Sequence, residues 1–364
     1  MKAKFAGRTL AAIAIGAAGW GATSTVYAQS KLIIIPSLQC PLGCGGVEYN
    51  VPLANMMARA GSKVSLAPQE TPGYMYNIRY MDKNYAKAKL TTFGTEDMVL
   101  QFAPHGGKGL LKDSLPEPVK NKFKFLWGIA ATAQGRFFVT FDPKIKTVAD
   151  MKGKKVSLGL LTQSDWGLSG RIVLDTYGLN EKNTKISYVT PDVLTNQLIN
   201  GTADVVTSAI LGDPGTGKWA TGGPLIKIGA ASQASGKKLH YISVDQQAMD
   251  KINKKYGTTH FTATLAAGTL PSQDAPVTIG LNRAYQAVTT EFPEDVAYEL
   301  TKATITHGPA LKSEGGFWNF WSPEGMTAGL NECNTHPGAV RAMKEAKIWE
   351  LRTKSGPEAK IPGC

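Results

Sequence analysis

Apolar and polar positions alternate along this chain in two rhythms. Short β-branched runs predict strands at KLIIIPSL (31–38), KVSLAPQE (63–70), KFLWGIAA (124–131), GRFFVTF (135–141), KVSLGLL (155–161), KISYVT (185–190) and DVVTSAIL (204–211). Helical spacing falls between them. PLANMMARAG (52–61) predicts a helix that starts at Pro52 and stops at Gly61. TPGYMYNIRYMDKN (71–84) predicts a turn, then a helix. WGLSGRIVLDTYG (166–178) pairs Leu168 with Ile172 and Val173 with Tyr177, with Ser164 or Asp165 as its cap. VLTNQLING (193–201) predicts another helix. Strands alternating with helices imply an α/β fold with mainly parallel sheets.

Ligands of such folds collect at the C-terminal ends of the strands, where helix N-termini point their N–H groups outward. The segments there are QCPLGCGGVEYN, ETPGYMYN, TQSDWG and GDPGTG. All are rich in Gly, hydroxyls or aromatics, and together they predict a cleft built from loops. None contains a nucleophile with a base beside it.

GDPGTGKW (212–219) nearly spells the phosphate-binding GxxxxGK[ST]. Trp219 stands where a P-loop needs a hydroxyl for Mg²⁺, and the ATGGP that follows is a poor helix start. A Gly/Pro turn after a strand is expected instead.

Composition fits a globular chain, with 43% apolar and 19% charged residues. The formal charge is +12, or +9 without the three basic residues of the leader described next. The lysines are scattered rather than striped with aromatics, so no nucleic-acid partner is expected. MKAKFAGR, then the small apolar TLAAIAIGAAGWGA, then Val26 and Ala28 before Gln29, has the form of a cleavable signal peptide over 1–28. Export to the periplasm follows, and the even count of Cys40, Cys44, Cys333 and Cys364 then suggests disulfides, with three pairings open. C-x3-C spacing lets Cys40 and Cys44 close a tight loop, leaving Cys333 and Cys364 to staple the tail. It lacks the second half of a zinc site, so no metal or other cofactor is expected. The five histidines are scattered, with no HExxH or GxSxG motif, which argues against a secreted enzyme. His336 in THPG suits a cap or turn.

Seven segments taken in order resemble the TAXI-type solute receptors of TRAP transporters. They are GGVEYNVP (45–52), IKTVADMKGKKVSLG (145–159), TQSDWGLSGRIVLDTYGL (162–179), LINGTADVVTS (198–208), AGTLPSQD (267–274), PEDVAYELTKATI (293–305) and HPGAVRAMKEAK (336–347). The resemblance implies a two-lobed, hinged, periplasmic-binding-protein-like (type II) α/β fold with an interlobe cleft. Lobe one takes 29–138 plus 276–364 and lobe two takes 139–275, with FFVTF and PVTIGL crossing between them. It also implies capture of a small organic anion, a carboxylate or amino acid, for delivery to TRAP membrane subunits by a monomer or homodimer. A receptor for an ABC importer or for a sensor system is the alternative. CPLGC, TPGY and TQSD depart from the family's smaller loops and suggest a larger or aromatic ligand.

Ligand contacts are expected from Gly45, Gly46 and Val47 N–H groups, from Tyr49, Tyr74, Tyr76 and Trp166 as walls, and from Asn77 and Thr95 as donors. Gln163 and Ser164 at a helix start, and Gly212 with Asp213 on the second lobe, complete the set. Tyr49→Ala is expected to weaken binding without unfolding the protein. Arg79 and Arg136 suit ordinary ion pairs.

Overall fold

In a computed structural model the structure describes residues 32–41, 44–129, 133–353 and 356–364. The leader expected at 1–28 lies outside the described residues. None of the described helices is long and apolar enough to cross a membrane.

Thirteen described strands form two sheets. They are β1 Ile33–Leu38, β2 Val64–Gln69, β3 Thr92–Glu96, β4 Phe123–Gly128, β5 Ala133–Thr140, β6 Lys155–Leu158, β7 Lys185–Tyr188, β8 Val205–Asp213, β9 Lys218–Thr221, β10 His240–Ile242, β11 Phe261–Leu265, β12 Val277–Asn282 and β13 Ala284–Thr289. The first sheet runs β2-β1-β3-β13-β4. The second runs β11-β12-β5-β8-β6-β7, with β10 on β5 and β9 on β8. The α/β architecture with two sheets expected from the alternating pattern is therefore present.

The sheets are mixed rather than mainly parallel. Parallel pairing is confined to β1 with β2 and β3, and to β6 with β7 and β8. The other described strand pairs are antiparallel: β5, β12 and β13, which flank the passages between sheets, run against their neighbours, and β8 turns back into β9. The chain leaves the first sheet between β4 and β5 and returns between β12 and β13, at Arg283. All of β5 and β12 thus belongs to the second sheet.

Four helices matter for the site: α1 Gly45–Arg59, α2 Tyr74–Lys83, α3 Asp97–Phe102 and α4 Ser169–Thr176. The helix expected from Pro52 starts seven residues earlier, and Pro52 lies inside it. Pro52 offers no N–H to the Glu48 carbonyl, but α1 is held by Leu53 and Met57, both fully buried. The segment expected to open the 166–178 helix is a π-helical turn, Ser164–Leu168, running into α4. Such turns widen a helix and re-aim its side chains.

The C-terminal tail packs on the crossing at Arg283. Arg283, fully buried, donates to the Pro357 carbonyl at 2.7 Å and lies 4.8 Å over the Phe261 ring. Gln101, on α3, donates to both Thr259 and the Lys360 carbonyl at 2.7 Å, so one amide ties helix, second-sheet connection and tail together. Cys333–Cys364 fastens the end of the tail, and Cys40–Cys44 closes the loop after β1. These are the pairs that the C-x3-C spacing favoured.

A disulfide that closes a loop of sequence separation 31 destabilises the unfolded chain by about 3.7 kcal/mol. Replacing both Cys333 and Cys364 by Ser is expected to lower the unfolding free energy by about that amount, read as a fall of the urea midpoint at unchanged slope. An unchanged midpoint would show that the tail is held by its hydrogen bonds alone.

Candidate functional site

The four strand-end loops meet. Cys40 and Cys44–Gly46 follow β1, Gly73 and Tyr74 follow β2, Gln163–Trp166 follow β6, and Leu211 sits near the end of β8. Ile129, Gln134 and Ala284, at the two crossings, complete the wall. The cavity measures about 40 Å³, which is space for on the order of one water. A solute of several heavy atoms enters only when the two sides part.

The sides touch through backbone. The Met75 N–H, at the start of α2, donates to the Thr162 carbonyl at 3.3 Å. Gly73 stands there with φ +130°, and a Cβ on it would come 2.6 Å from the same carbonyl oxygen. Only glycine permits this approach. Gly46 is similarly constrained, since a Cβ would meet the Tyr74 hydroxyl at 2.6 Å and Gln39 Oε1 at 2.7 Å.

Next to the cavity lies a buried ionic cluster. Arg136 on β5 points Nη2 at Asp165 Oδ2, 3.0 Å away, and at Glu96 Oε1, 3.5 Å away. Its Nε donates to the Asp165 carbonyl at 2.9 Å. Glu96, at the end of β3, is fully buried and accepts a short hydrogen bond from Gln134. Burial above all, then the Asp165 carboxylate, push Glu96 well above the usual carboxylate range, while Arg136 pulls the other way. Tyr74 is raised too, by burial and then by Glu96 and Asp165. Asp97, buried beside Arg283, is pushed up to about 6, again chiefly by burial. The Ser164 hydroxyl lies near Glu96 without hydrogen-bond geometry, and both it and Glu96 Oε2 are buried without a partner.

The predicted residues separate into two groups. Gly45, Gly46, Tyr74, Gln163, Ser164 and Trp166 line the cavity. The others do not. Tyr49 is fully buried and stacks on Trp318 at 4.1 Å, with its carbonyl accepting the indole N–H. Tyr49→Ala would therefore remove core packing, at about 3–5 kcal/mol, contrary to the expectation that the fold would tolerate it. Asn77 is used up by backbone, donating to the Gln39 and Gly94 carbonyls at 2.6 and 3.0 Å. Thr95 is fully buried within β3. Tyr76 stacks on Tyr80 at 6.1 Å, away from the cavity. Val47 lies one residue beyond the lining part of α1.

Gly212 and Asp213 belong to a hairpin. GDPGTGKW turns β8 into β9, with Gly212 opposite Trp219 and Asp213 opposite Lys218. Asp213 Oδ1 accepts the Gly215 N–H at 2.8 Å and so holds the turn. A strand follows the GK pair where a P-loop has a helix, and only Leu211 reaches the cavity.

Glu96, Gln134 and Asp165 are site groups that the sequence reading did not select. Glu96 carried no motif signal, and its meeting with Arg136 depends on the pairing of β3 and β5 with different sheets. Asp165 had been read as a helix cap. Arg136, expected in an ordinary ion pair, is in one, buried beside the cavity. His336 caps the Pro337–Glu345 helix through the Gly338 N–H, as its THPG setting suggested. His260 is buried, chiefly for that reason lowered to about 4.

A model of the NMT1-like family matches residues 43–346, so the chain belongs to that family. Solved structures similar to it are distant. The alkanesulfonate-binding protein SsuA from Xanthomonas axonopodis pv. citri, bound to MOPS, is 10% identical over 90% of this chain and 86% of its own, with a TM-score of 0.42. MatC from Rhodopseudomonas palustris, with bound malate, is 10% identical over 88% and 99%, with a TM-score of 0.46. PhnD1 from Prochlorococcus marinus (MIT 9301), in complex with methylphosphonate, is 9% identical over 80% and 88%, with a TM-score of 0.44. At this distance no activity is carried over from them.

Folding transfers Glu96 from water, where it titrates near its ordinary value, to a site that favours its protonated form. The folded protein therefore loses stability as pH rises from about 4.3 through the raised folded value. Glu96→Gln removes that dependence. The melting temperature of the variant relative to wild type is expected to climb between about pH 5 and about pH 8. A constant difference would mean that Arg136 keeps Glu96 ionised throughout.

Proposed function

We propose that this NMT1-like protein is an exported solute receptor that closes two lobes around a small polar organic molecule. The observation that supports it best is the convergence of loops from both sheets on one cavity, between two chain crossings. Opposed strand-end loops on two sheets, between which the chain crosses twice, suit hinge closure. The lobe boundaries fit best at those crossings, 129–132 and 283, rather than at 138/139 and 275/276. No nucleophile and base meet in the cavity, so capture suits the lining better than catalysis does.

The ligand expected from the sequence is a small organic anion. A carboxylate suits the first turn of α1, whose N–H groups have no intrahelical partner and whose Gly45 and Gly46 line the cavity. Trp166, half-buried on another wall, offers an apolar face that suits an aromatic or aliphatic body. Delivery to a TRAP membrane subunit rests on the seven sequence segments that resemble TAXI receptors. A neighbouring gene for a fused TRAP membrane subunit would support that partner, and one for an ATPase would replace it with an ABC importer.

A thermal-shift screen of the mature protein against carboxylates, amino acids, sulfonates and ATP–Mg²⁺ tests the reading, since a ligand of the folded state raises the melting temperature. A shift of several degrees with one class of small solute is expected, and none with ATP–Mg²⁺. Trp166→Ala should then weaken that solute about tenfold or more while leaving the ligand-free melting temperature within a few degrees. A shift from ATP–Mg²⁺ alone would overturn the receptor reading.

A further inference from the structure

The first turn of α1 is poorly secured by its own sequence. Cys44 is its N-cap and makes no side-chain cap hydrogen bond. Gly45 and Gly46 follow, and after proline no residue favours the helix less than glycine. Pro52 supplies no N–H to the Glu48 carbonyl. The body of α1 is firm, with Tyr49 stacked on Trp318 and with Leu53 and Met57 fully buried. The strand end before the turn is firm as well. The Gln39 N–H donates to the Gln69 carbonyl at 2.8 Å, and the Gln39 carbonyl accepts from Thr71 Oγ1 and Asn77 Nδ2, both at 2.6 Å. Cys40 is the next residue. Its bond to Cys44 ties this fixed strand end to the start of the helix. Its Sγ packs on Gly46, 3.0 Å from where a Cβ would stand. The Cys44 N–H donates to the Pro41 carbonyl at 3.0 Å, inside the loop that the disulfide closes. Asn50 Nδ2 steadies the Gly46 carbonyl at 2.9 Å, but it leaves the N–H groups of the turn where the disulfide puts them. Both cysteines line the cavity together with Gly45 and Gly46.

We propose that the Cys40–Cys44 disulfide positions the solute-receiving turn of α1, and that capture therefore works only in the oxidised protein. A bond across a sequence separation of 4 restricts the unfolded chain less than one across 31. Its effect falls on the turn rather than on global stability. Cys333–Cys364 is the opposite case, since it fastens the tail and neither residue lines the cavity. Reduction of Cys40–Cys44 by a dithiol takes two electrons and two protons. A thiolate of the reductant attacks one sulfur, its second thiol resolves the mixed disulfide, and the protein is left with two thiols while the reductant becomes a disulfide. Cys44, half-buried on the cavity wall, is the more exposed of the two sulfurs. Once the bond is open, the turn is free to fray, and its N–H groups no longer converge on one anion. The inference rests on the receptor reading and adds how its binding turn is held.

The chain has four cysteines, so Cys333→Ser with Cys364→Ser leaves dithiothreitol a single disulfide to act on. Isothermal titration of this mature variant, oxidised and then reduced, uses succinate, glutamate, phenylalanine, 3-phenylpropanoate and propanesulfonate as probes. Reduction is expected to weaken the best-bound probe by about tenfold or more, to leave the melting temperature within a few degrees, and to be reversed by reoxidation. Hydrogen exchange over residues 45–50 should quicken on reduction while the rest of α1 keeps its protection, a readout that needs no solute. Cys40→Ser with Cys44→Ser in the otherwise native chain should behave like the reduced form, and it decides the matter alone if the tail variant is too unstable to titrate. Affinity or exchange unchanged when the bond is opened, or a loss of binding that comes with a collapse of the melting temperature, would overturn the inference and leave the receptor standing. Silence from every probe in the oxidised protein would overturn the receptor reading, and this inference with it.

Discussion

Arg136 shared between Glu96 and Asp165 is the contact on which the site depends. It joins the end of a first-sheet strand to a second-sheet turn, and it does so where water is nearly excluded. Burying charge is costly unless each partner is satisfied. Here one cation faces two acids, and burial answers the imbalance by favouring the protonated form of Glu96. Elsewhere the buried polar groups around Asn77, Gln101 and Asn334 are tied to backbone carbonyls and hold the fold in one arrangement.

Closure and rigidity are handled by different parts. The loop side of the molecule meets through Gly73 and Thr162, a contact that glycine alone makes close. The far side is held by the tail, with Arg283 bonded to the Pro357 carbonyl and Gln101 to Thr259 and the Lys360 carbonyl. A receptor needs one edge that parts and one that stays, and the hydrogen bonds are distributed in that way.

Much of this was legible along the chain, because it was local. Strands β1, β2 and β4–β8 and the helices at 74–83 and 191–199 follow apolar spacing and turn residues, and the loops that meet at the cavity follow from the strand-end rule; β3, β9, β10, β11 and β13 were not foreseen. The start of α1 was misplaced because Pro52 looks like a first-turn residue, while seven preceding residues helical in the fold carry two glycines. Tyr49 looked like a site residue because its neighbours are; its partner Trp318 lies 269 positions away, beyond any local pattern. Glu96 was invisible for the same reason. Its role comes from strands of two sheets brought together, and nothing in TFGTE announces it.

The position of β13 sets an order on the making of the molecule. It lies between β3 and β4, so residues 284–289 fill the middle of a sheet whose other members were all synthesised by residue 128. The second sheet, by contrast, is drawn from one continuous run, 133–282. A growing chain can therefore complete its middle before its beginning, and the first sheet stays split until the late strand emerges. Long-range pairing of this kind is slow to form. The stretch that emerges first, 33–128, is thus the one that cannot finish folding before residue 289 arrives.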